Sequence, residues 1–288
     1  MKFGTYFAYW THEWRGDYMK YARKVKDLGF DILEVAPAPL LEMSDAELGE
    51  LKALTKDLGI SITTNYGPPK DKDIASKDYS VRANGIRYLT QIMETMDKID
   101  SRVIMGALYS YWPYDYTDLD KEALWDRSVE SVKQLGFVAK DLGISYCLEV
   151  LNRFETILLN TCEEALKYCD DVGVDSVKVH LDTFHMNIEE DNIPNAIRLA
   201  GDRLGHLHVG EGNRKLPGKG SMPWEEIGQA LKDIHYDKGV VMEPFVMQGG
   251  QVGKDIKIWR DLSNHADEAT LDREIKESLI FLKRQFHV

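Results

Sequence analysis

Three stretches of the chain share one hydrophobic pattern. They begin at Lys24, Leu54 and Val138, and in each a helical spacing of apolar residues runs into Asp-Leu-Gly before a β-rich run. Glycine readily adopts the left-handed conformation that ends helices, so each stretch is predicted to be a helix-to-strand junction. The aspartates, at 27, 57 and 141, are 30 and 84 residues apart, which approximates one and three copies of a unit of about 30 residues.

The whole chain alternates between strand-like and helical patterns. Strands are predicted at 2–10, 31–37, 60–67, 102–108, 144–151, 176–182, 206–210 and 239–245. Helices are predicted at 17–28, 44–58, 79–98, 119–142, 161–172, 192–204, 223–235 and 267–286. Strict alternation with short junctions favours parallel strands, so the eight pairs predict one α/β domain over residues 1–288, a (β/α)8 TIM barrel. An open doubly wound sheet is the alternative, but no G-x-G-x-x-G follows the first strand.

Composition narrows the classes of partner. The chain has 288 residues and a formal charge of −12, with 48 acids against 36 bases, so its field repels phosphate backbones and argues against nucleic acid. Its three cysteines show no C-x-x-C spacing and predict neither a disulfide framework nor a thiolate metal site, which favours a reducing cytoplasm. The acidic charge favours a small neutral partner. No signal peptide and no membrane-spanning run is found, so a soluble, intracellular protein is expected.

Polar side chains mark one face of the last four predicted strands. In a parallel barrel one parity of each strand faces the lumen, and active sites lie at the carboxyl ends of the strands. That parity places four side chains near those ends: Glu149, Asp182, His208 and Glu243. Three buried carboxylates repel one another unless a cation joins them, and with one imidazole they form a hard ligand set suited to Mn²⁺, Mg²⁺ or Co²⁺. For any single member, a buried ion pair or a core histidine is the alternative.

Residues just beyond the strands add candidates for substrate binding. Glu155, His185 and Arg214 follow the strands that carry the candidate ligands, and βα loops hold specificity in this architecture. Each alone is a weak signal, because a loop base or a helix-capping histidine would look the same. Aromatic side chains with polar tips suit a sugar, although core packing explains them equally well. The candidates from the first half of the barrel are Tyr6, Trp14, Gly67, Ala107 and Trp112.

Several longer motifs carry a specific resemblance. They are FAYW near the start, GALYSYWP at 106–113, LEVLNRFE at 148–155, LDTFHMNIEE at 181–190, GHLHVGEGNR at 205–214, PGKG at 217–220 and VVMEPFVMQGGQVG at 240–253. Together they resemble the D-tagatose 3-epimerase family, and most closely its D-psicose (D-allulose) 3-epimerases. The segment at 68–80 offers little to compare.

The resemblance implies a xylose-isomerase-like barrel and a metal-dependent isomerase. Its expected reaction interconverts D-fructose and D-psicose, or related ketoses such as D-tagatose and D-sorbose, at C3. One divalent ion per subunit, Mn²⁺ foremost and otherwise Co²⁺ or Mg²⁺, would be held by Glu149, Asp182, His208 and Glu243. Glu149 and Glu243 would also be the acid and base on opposite faces of the sugar. A homodimer or homotetramer is implied as well.

The remaining candidates receive roles from the same resemblance. Glu155, His185 and Arg214 would anchor O1 to O3 of the ketose, while Tyr6, Trp112 and their neighbours would touch O4 to O6. Inverting C3 requires removal of a proton beside the carbonyl and its return to the other face through a cis-enediolate. Opposed carboxylates supply base and acid, and a divalent ion stabilises the developing charge.

Other readings of the sequence remain open. On the same barrel, a ketol isomerase of the xylose or hydroxypyruvate isomerase type, or a lyase similar to inosose dehydratases, is the alternative. An endonuclease IV type of hydrolase fits poorly with the acidic charge. A phosphorylated substrate could bind PGKG and Lys215 near the predicted helix start at 223. A non-catalytic sugar-binding module would have no need for opposed carboxylates on a metal.

Overall fold

The eight strands close into a barrel. The structure is a computed structural model that describes all residues 1–288, and its strand order is β1 to β8 in sequence, with every neighbouring pair parallel and β8 paired to β1. The strands are β1 Lys2–Tyr6, β2 Ile32–Val35, β3 Ser61–Asn65, β4 Val103–Gly106, β5 Ser145–Glu149, β6 Val177–Asp182, β7 Leu204–Val209 and β8 Gly239–Met242. The predicted TIM barrel is confirmed, and the doubly wound alternative is wrong.

Helices follow the strands on the outside of the barrel. They are α1 Tyr18–Leu28, α2 Asp45–Leu58, α3 Tyr79–Lys98, α4 Lys121–Asp141, α5 Cys162–Val172, α6 Thr183–Glu189, α7 Ile193–Ala200, α8 Trp224–Asp233, α9 Gly250–Asp255 and α10 Glu268–Gln285. The short helices α6 and α9 were not predicted. None of the helices combines the length and the apolar character that crossing a lipid bilayer requires.

The Asp-Leu-Gly junctions have the predicted geometry. Helices α1 and α2 end at Leu28 and Leu58, and the glycines that follow, Gly29 and Gly59, have φ of 93° and 64°. The third, Gly143, follows α4 with φ of 65°. In each junction the chain turns sharply from the outer helix back into the next strand.

Strand and helix ends differ from the predictions where local structure intervenes. The first strand stops at Tyr6, because Phe7–Trp10 forms a 3-10 turn, instead of continuing to residue 10. Helix α7 ends at Ala200 and a 3-10 turn at Gly201–Arg203 leads directly into β7, which therefore begins at Leu204 and not at 206. Apolar periodicity alone does not distinguish these tight turns from the regular elements they adjoin.

The two faces of the strands separate as their parity indicates. Tyr146 and Leu148 of β5, and Val177 and Val179 of β6, are fully buried in the hydrophobic core beneath the helices. The opposite parity faces the lumen, where His180, a residue of β6, packs edge to face with imidazoles of β7. Polar groups are therefore concentrated inside the barrel.

Candidate active site

Four polar side chains from consecutive strands meet at one end of the lumen. Glu149 and Asp182 are the last residues of β5 and β6, His208 lies near the end of β7, and Glu243 directly follows β8. They are between 0 and 7 % exposed, and one ligand atom from each lies within 4.8 Å of all the others. We refer to Glu149, Asp182, His208 and Glu243 as the pocket cluster.

Two atoms of the pocket cluster lack hydrogen-bond partners. Nδ1 of His208 lies 3.5 Å from Oε2 of Glu243, 3.9 Å from Oε1 of Glu149 and 4.0 Å from Oδ2 of Asp182. Neither that nitrogen nor Oδ2 of Asp182 accepts or donates a hydrogen bond, although both are buried. Unsatisfied buried polar atoms are costly, and a cation between them would satisfy both. Three carboxylates and one imidazole are a donor set that suits Mn²⁺, Co²⁺ or Mg²⁺.

Acidic groups outnumber basic groups in and around the pocket cluster. Burial, followed by repulsion from Glu243, raises the pKa of Glu149 well above its usual value. Burial disfavours the charged form of His208, but Glu34 and Glu243 outweigh it and raise the pKa of that imidazole. Arg214 brings a positive charge, with its Nη1 3.2 Å from Oε2 of Glu243. Three carboxyl groups face one guanidinium and one imidazole, so a bound cation would allow all three carboxyl groups to ionise.

A second buried acid, Glu34 of β2, lies behind His208. Its Oε1 is 2.6 Å from Nε2 of His208, and its Oε2 accepts a hydrogen bond of 2.9 Å from Thr63 and lies 3.1 Å from Nε2 of His206. We refer to Glu34, Thr63 and His206 as the closed cluster. The contact with Oε1 of Glu34 would keep a proton on Nε2 of His208 when a cation occupies the pocket cluster, and Nδ1 would then present its lone pair to that cation.

Sequence reasoning missed Glu34. ILEV does place an acid at the lumen parity of a predicted strand, but the predicted ligands all come from the last four strands. Asn65, the last residue of β3, was also missed. Its Nδ2 donates a hydrogen bond of 2.7 Å to Oε1 of Glu243 and fixes the orientation of that carboxylate.

A pocket opens above the pocket cluster. Its volume is about 290 Å³, at the small end of the range for ligand sites. Glu149 and Glu243 line the pocket. All eight residues predicted to bind substrate line it as well: Tyr6, Trp14, Gly67, Ala107, Trp112, Glu155, His185 and Arg214. The structure thus brings all of them together, while their individual roles stay predictions.

The polar side of the pocket is built from three side chains. Oε1 of Glu155 lies 3.6 Å from Nη2 of Arg214 and 3.9 Å from Nδ1 of His185. The backbone N–H of Asn152 donates to Nδ1 of His185 at 3.1 Å, and burial lowers the pKa of this imidazole to about 3. His185 is therefore neutral, and its Nε2–H faces the pocket as a donor.

The opposite wall is aromatic and joins distant parts of the chain. Trp112 donates from its indole to Oε2 of Glu155 at 3.0 Å, and Trp14 donates to Oδ2 of Asp255 at 2.8 Å. The rings of Trp14 and Trp112 meet edge to face at 6.3 Å, and Phe245 packs against Trp14 at 6.0 Å. Asp255 and Phe245 were not predicted as pocket residues, because no sequence pattern after β8 indicates a contact with Trp14, which follows β1.

Comparison with known proteins agrees with this geometry. Residues 22–283 match the family described as xylose isomerase-like TIM barrel, and the chain belongs to that family. Within it, the chain is 53 % identical to the D-psicose 3-epimerase of Ruminiclostridium cellulolyticum, with 98 % of this chain and 96 % of that protein covered. It is 51 % identical to the D-psicose 3-epimerase of Agrobacterium fabrum, with 98 % of each covered.

Solved structures give the same relationship. A crystal structure of a D-psicose 3-epimerase in the presence of D-fructose superposes with a TM-score of 0.98 at 49 % identity, and the match covers 100 % of both chains. A D-psicose 3-epimerase from Clostridium cellulolyticum with D-tagatose has a TM-score of 0.98 at 52 % identity, covering 99 % of each. The resemblance to the ketose 3-epimerases that was predicted from the sequence motifs is confirmed.

Proposed function

We propose that this chain is a metal-dependent ketose 3-epimerase. The observation that carries the proposal is the pair Glu149 and Glu243, which come from β5 and from the end of β8 and approach within 4.8 Å at the floor of a sugar-sized pocket. Two carboxylates on opposite sides of one carbon can remove a proton from one face and return a proton to the other. D-fructose and D-psicose are the proposed substrate pair, because two relatives at 53 % and 51 % identity are named D-psicose 3-epimerase and inversion of D-psicose at C3 gives D-fructose.

The two carboxylates are held differently for this task. Oε1 of Glu243 accepts from Asn65, and its Oε2 accepts from Arg214 at 3.2 Å, so both oxygens are oriented. Glu149 has no comparable clamp; its nearest basic neighbours are His185 at 3.8 Å and His208 at 3.9 Å. In one direction Glu149 takes the C3 proton and Glu243 delivers one; in the other direction the roles exchange.

The proposed cofactor is one divalent ion per subunit, with Mn²⁺ foremost and Co²⁺ or Mg²⁺ as alternatives. The residues that would hold it are those of the pocket cluster. This assignment is supported by the unpartnered Nδ1 of His208 and Oδ2 of Asp182 and by the surplus of carboxylates. When bound, such an ion supplies a Lewis acid that stabilises negative charge developing on substrate oxygens.

The remaining pocket residues bind and orient the sugar in this proposal. Glu155, His185 and Arg214 provide acceptors and donors for O1 to O3, and Tyr6, Trp14 and Trp112 pack against the far end, O4 to O6. Gly67 and Ala107 leave space for the ring or chain. A Cβ on Gly67 would lie 2.7 Å from Cβ of Trp112, so a larger residue there would displace the indole.

Deuterium incorporation tests the proposed reaction. The Mn²⁺-loaded protein is incubated with D-fructose, D-psicose or D-tagatose in D₂O, with metal-free protein as the control, and the position of the label is read by NMR. Deuterium at C3 together with the C3 epimer is expected. Label at C1 with formation of an aldose would instead assign a ketol isomerase, and a new enone absorbance would assign a dehydratase. Turnover that survives removal of the metal by EDTA would contradict metal dependence.

Three further expectations stay predictions. The three cysteines are free and buried, which is consistent with the cytoplasmic location predicted from composition. A homodimer or homotetramer and the description of residues 1–288 as a single domain rest on the resemblance and on the strand pattern. Sedimentation of the purified chain tests the oligomeric state, and limited proteolysis tests the single domain.

A further inference from the structure

The loop between β7 and α8 contains another buried carboxylate, that of Glu211. This residue is 1 % exposed, and its side chain accepts three hydrogen bonds. The donors are the backbone N–H of Gly218 at 2.7 Å, the backbone N–H of Met222 at 3.1 Å and the indole of Trp224 at 2.8 Å. No basic side chain pairs with it, so the charge of Glu211 is held by N–H dipoles alone.

The PGKG motif contributes one of these three donors, Gly218, to the loop that holds the carboxylate. Gly218 has φ of 88°, which presents its N–H to the carboxylate, and a Cβ on Gly220 would lie 2.3 Å from Oε2 of Glu211. Backbone N–H groups that converge in this way form an anion-binding concavity. Because the protein's own carboxylate fills it, the structure does not support the phosphate site that PGKG and Lys215 suggested. The first turn of α8 also carries Glu225 and Glu226, which would repel a phosphate.

The same residue is joined to Arg214 through the backbone. The N–H of Arg214 donates to the carbonyl of Glu211 at 2.9 Å, and the N–H of Glu211 donates to the carbonyl of Lys215 at 3.0 Å. Arg214 has φ of 63°, a left-handed conformation that a residue other than glycine adopts only when its surroundings enforce it. The N–H of Phe245 donates to the carbonyl of Arg214 at 3.0 Å and ties this turn to the segment after β8.

Precise placement matters for the Arg214 guanidinium. It lies over the ring of Phe184 at 3.7 Å and reaches Glu155, Asp182 and Glu243 within 3.6 Å. It is also 6 % exposed, so water cannot substitute for a misplaced contact. A small movement of the turn at its base would therefore shift the group that faces the substrate.

We propose that Glu211 is a positioning residue for substrate binding. Its carboxylate acts as an internal anion that organises the PGKG loop and thereby fixes the turn that directs Arg214 into the pocket. This role rests on the proposed function. Within that function, Glu211 contributes to the affinity for the ketose and not to the proton transfer. The Glu211 side chain accepts hydrogen bonds from Gly218, Met222 and Trp224, and none of these three residues belongs to the pocket cluster or lines the pocket.

Chemical rescue tests this role. In Glu211→Ala the three N–H donors would surround an empty anion site, so sodium formate should bind there. We expect the KM for the ketose to rise about tenfold, on the scale of lost charge-assisted hydrogen bonds, with a smaller change in kcat. Formate should lower KM again and raise the Tm of this variant, while sodium chloride and neutral formamide at the same concentration should do neither.

Matched variants separate positioning from general stability. Arg214→Ala should also raise KM but show no response to formate, and the Mn²⁺ affinity of Glu211→Ala should remain that of the unmodified chain. Trp224→Phe keeps the carboxylate and removes one donor, so a smaller rise in KM without formate rescue is expected; it also serves if Glu211→Ala fails to fold.

Two results would overturn the proposal. One is a Glu211→Ala protein with unchanged KM; the other is a raised KM that formate does not lower. If the unmodified chain lacked epimerase activity, the proposed function would fail. The formate-dependent rise in Tm would then still report on whether Glu211 fills an anion site.

Discussion

The pocket cluster and the closed cluster are both buried and both acidic, and His208 of the first contacts Glu34 of the second, yet the two differ in charge balance. In the closed cluster one carboxylate, that of Glu34, meets two imidazoles and a hydroxyl. Burial alone would raise its pKa, but His208 and His206 reverse the direction and lower it. In the pocket cluster three carboxylates share a single imidazole and the Arg214 guanidinium.

The difference shows which features distinguish a functional site from buried polar residues that only stabilise the fold. Burial of charge is common to both clusters and does not discriminate between them. Unpartnered atoms do not discriminate either, because the ring nitrogens of His206 in the closed cluster also lack hydrogen-bond partners. What discriminates is a surplus of carboxyl groups beside an open pocket, where a cation and a substrate could complete the arrangement. His208 belongs to both environments and presents one ring nitrogen to each.

The largest expected effect comes from the pocket cluster itself. Glu149→Gln and Glu243→Gln each remove an acid or base, so C3 deuterium exchange and epimerisation should fall by about 10³-fold or more. The rates are measured by NMR in D₂O with Mn²⁺ present in excess. Near-normal turnover in either variant would refute the two-carboxylate scheme.

A smaller effect on activity, but a clear effect on metal binding, is expected from the closed cluster. Glu34→Gln keeps the shape of the side chain and weakens its hold on Nε2–H of His208, so Mn²⁺ affinity should fall about 10- to 100-fold, as for other partners of metal-bound histidines. Competition with a fluorescent chelator measures it.

Thr63→Val is the matched control for Glu34→Gln. It removes the hydrogen bond to Oε2 of Glu34 without touching His208, so its Mn²⁺ affinity should stay close to that of the unmodified chain. Equal losses in the two variants would mean that the closed cluster acts through general packing and that the comparison is wrong.

Removal of the metal should lower the stability of the folded chain. An ion that binds only the folded state stabilises it by about 2.7 kcal/mol at a concentration 100 times its Kd. EDTA should therefore lower the Tm, and Mn²⁺ should restore it. In Asp182→Asn, which weakens the donor set, the difference between the two conditions should shrink; a Tm that is indifferent to EDTA in the unmodified chain would contradict a metal at this site.

The smallest effect concerns Asp73, a buried carboxylate outside both clusters. Burial raises the pKa of Asp73 to about 6, although the N–H of Ala75 donates to it at 2.8 Å. Because the unfolded value is near 4, the folded state binds the proton more tightly. The stability from the protonated form is present below about pH 4 and is lost as the pH rises through 6.

Asp73→Asn should remove this pH dependence. The amide oxygen can still accept from Ala75, so the variant should be more stable than the unmodified chain at pH 8, by about 2 kcal/mol, and similar to it at pH 4. Urea unfolding at the two pH values measures the difference. A variant that is destabilised equally at both would show that Asp73 is ionised in the folded chain without cost.

Much of the fold and the pocket cluster could be predicted because their signals are local and periodic. The Asp-Leu-Gly junctions identified the repeat, and the parity of β5 to β8 placed Glu149 and Asp182 in the lumen before any contact was known. The tight turns after Tyr6 and Ala200 were not predicted. Phe7–Trp10 continues the apolar pattern of β1, and Gly201–Arg203 is too short to show a period of its own.

Other site residues depend on contacts that sequence patterns do not encode. Glu211 looks like an ordinary loop acid until the N–H groups around it are seen. Asn65 and Asp255 act on partners far away in the sequence, Glu243 and Trp14. Glu34 has the lumen parity, but its role depends on its contact with the imidazole of His208.

The hydrogen bond between Trp14 and Asp255 joins the first and last loops, residues 241 positions apart. During synthesis the amino-terminal strands leave the ribosome long before Asp255 does, so the far wall of the pocket is assembled last. A chain stalled before α9 would expose the ring of Trp14 without its partner. Exposure of this indole would therefore distinguish an unfinished barrel from a complete one.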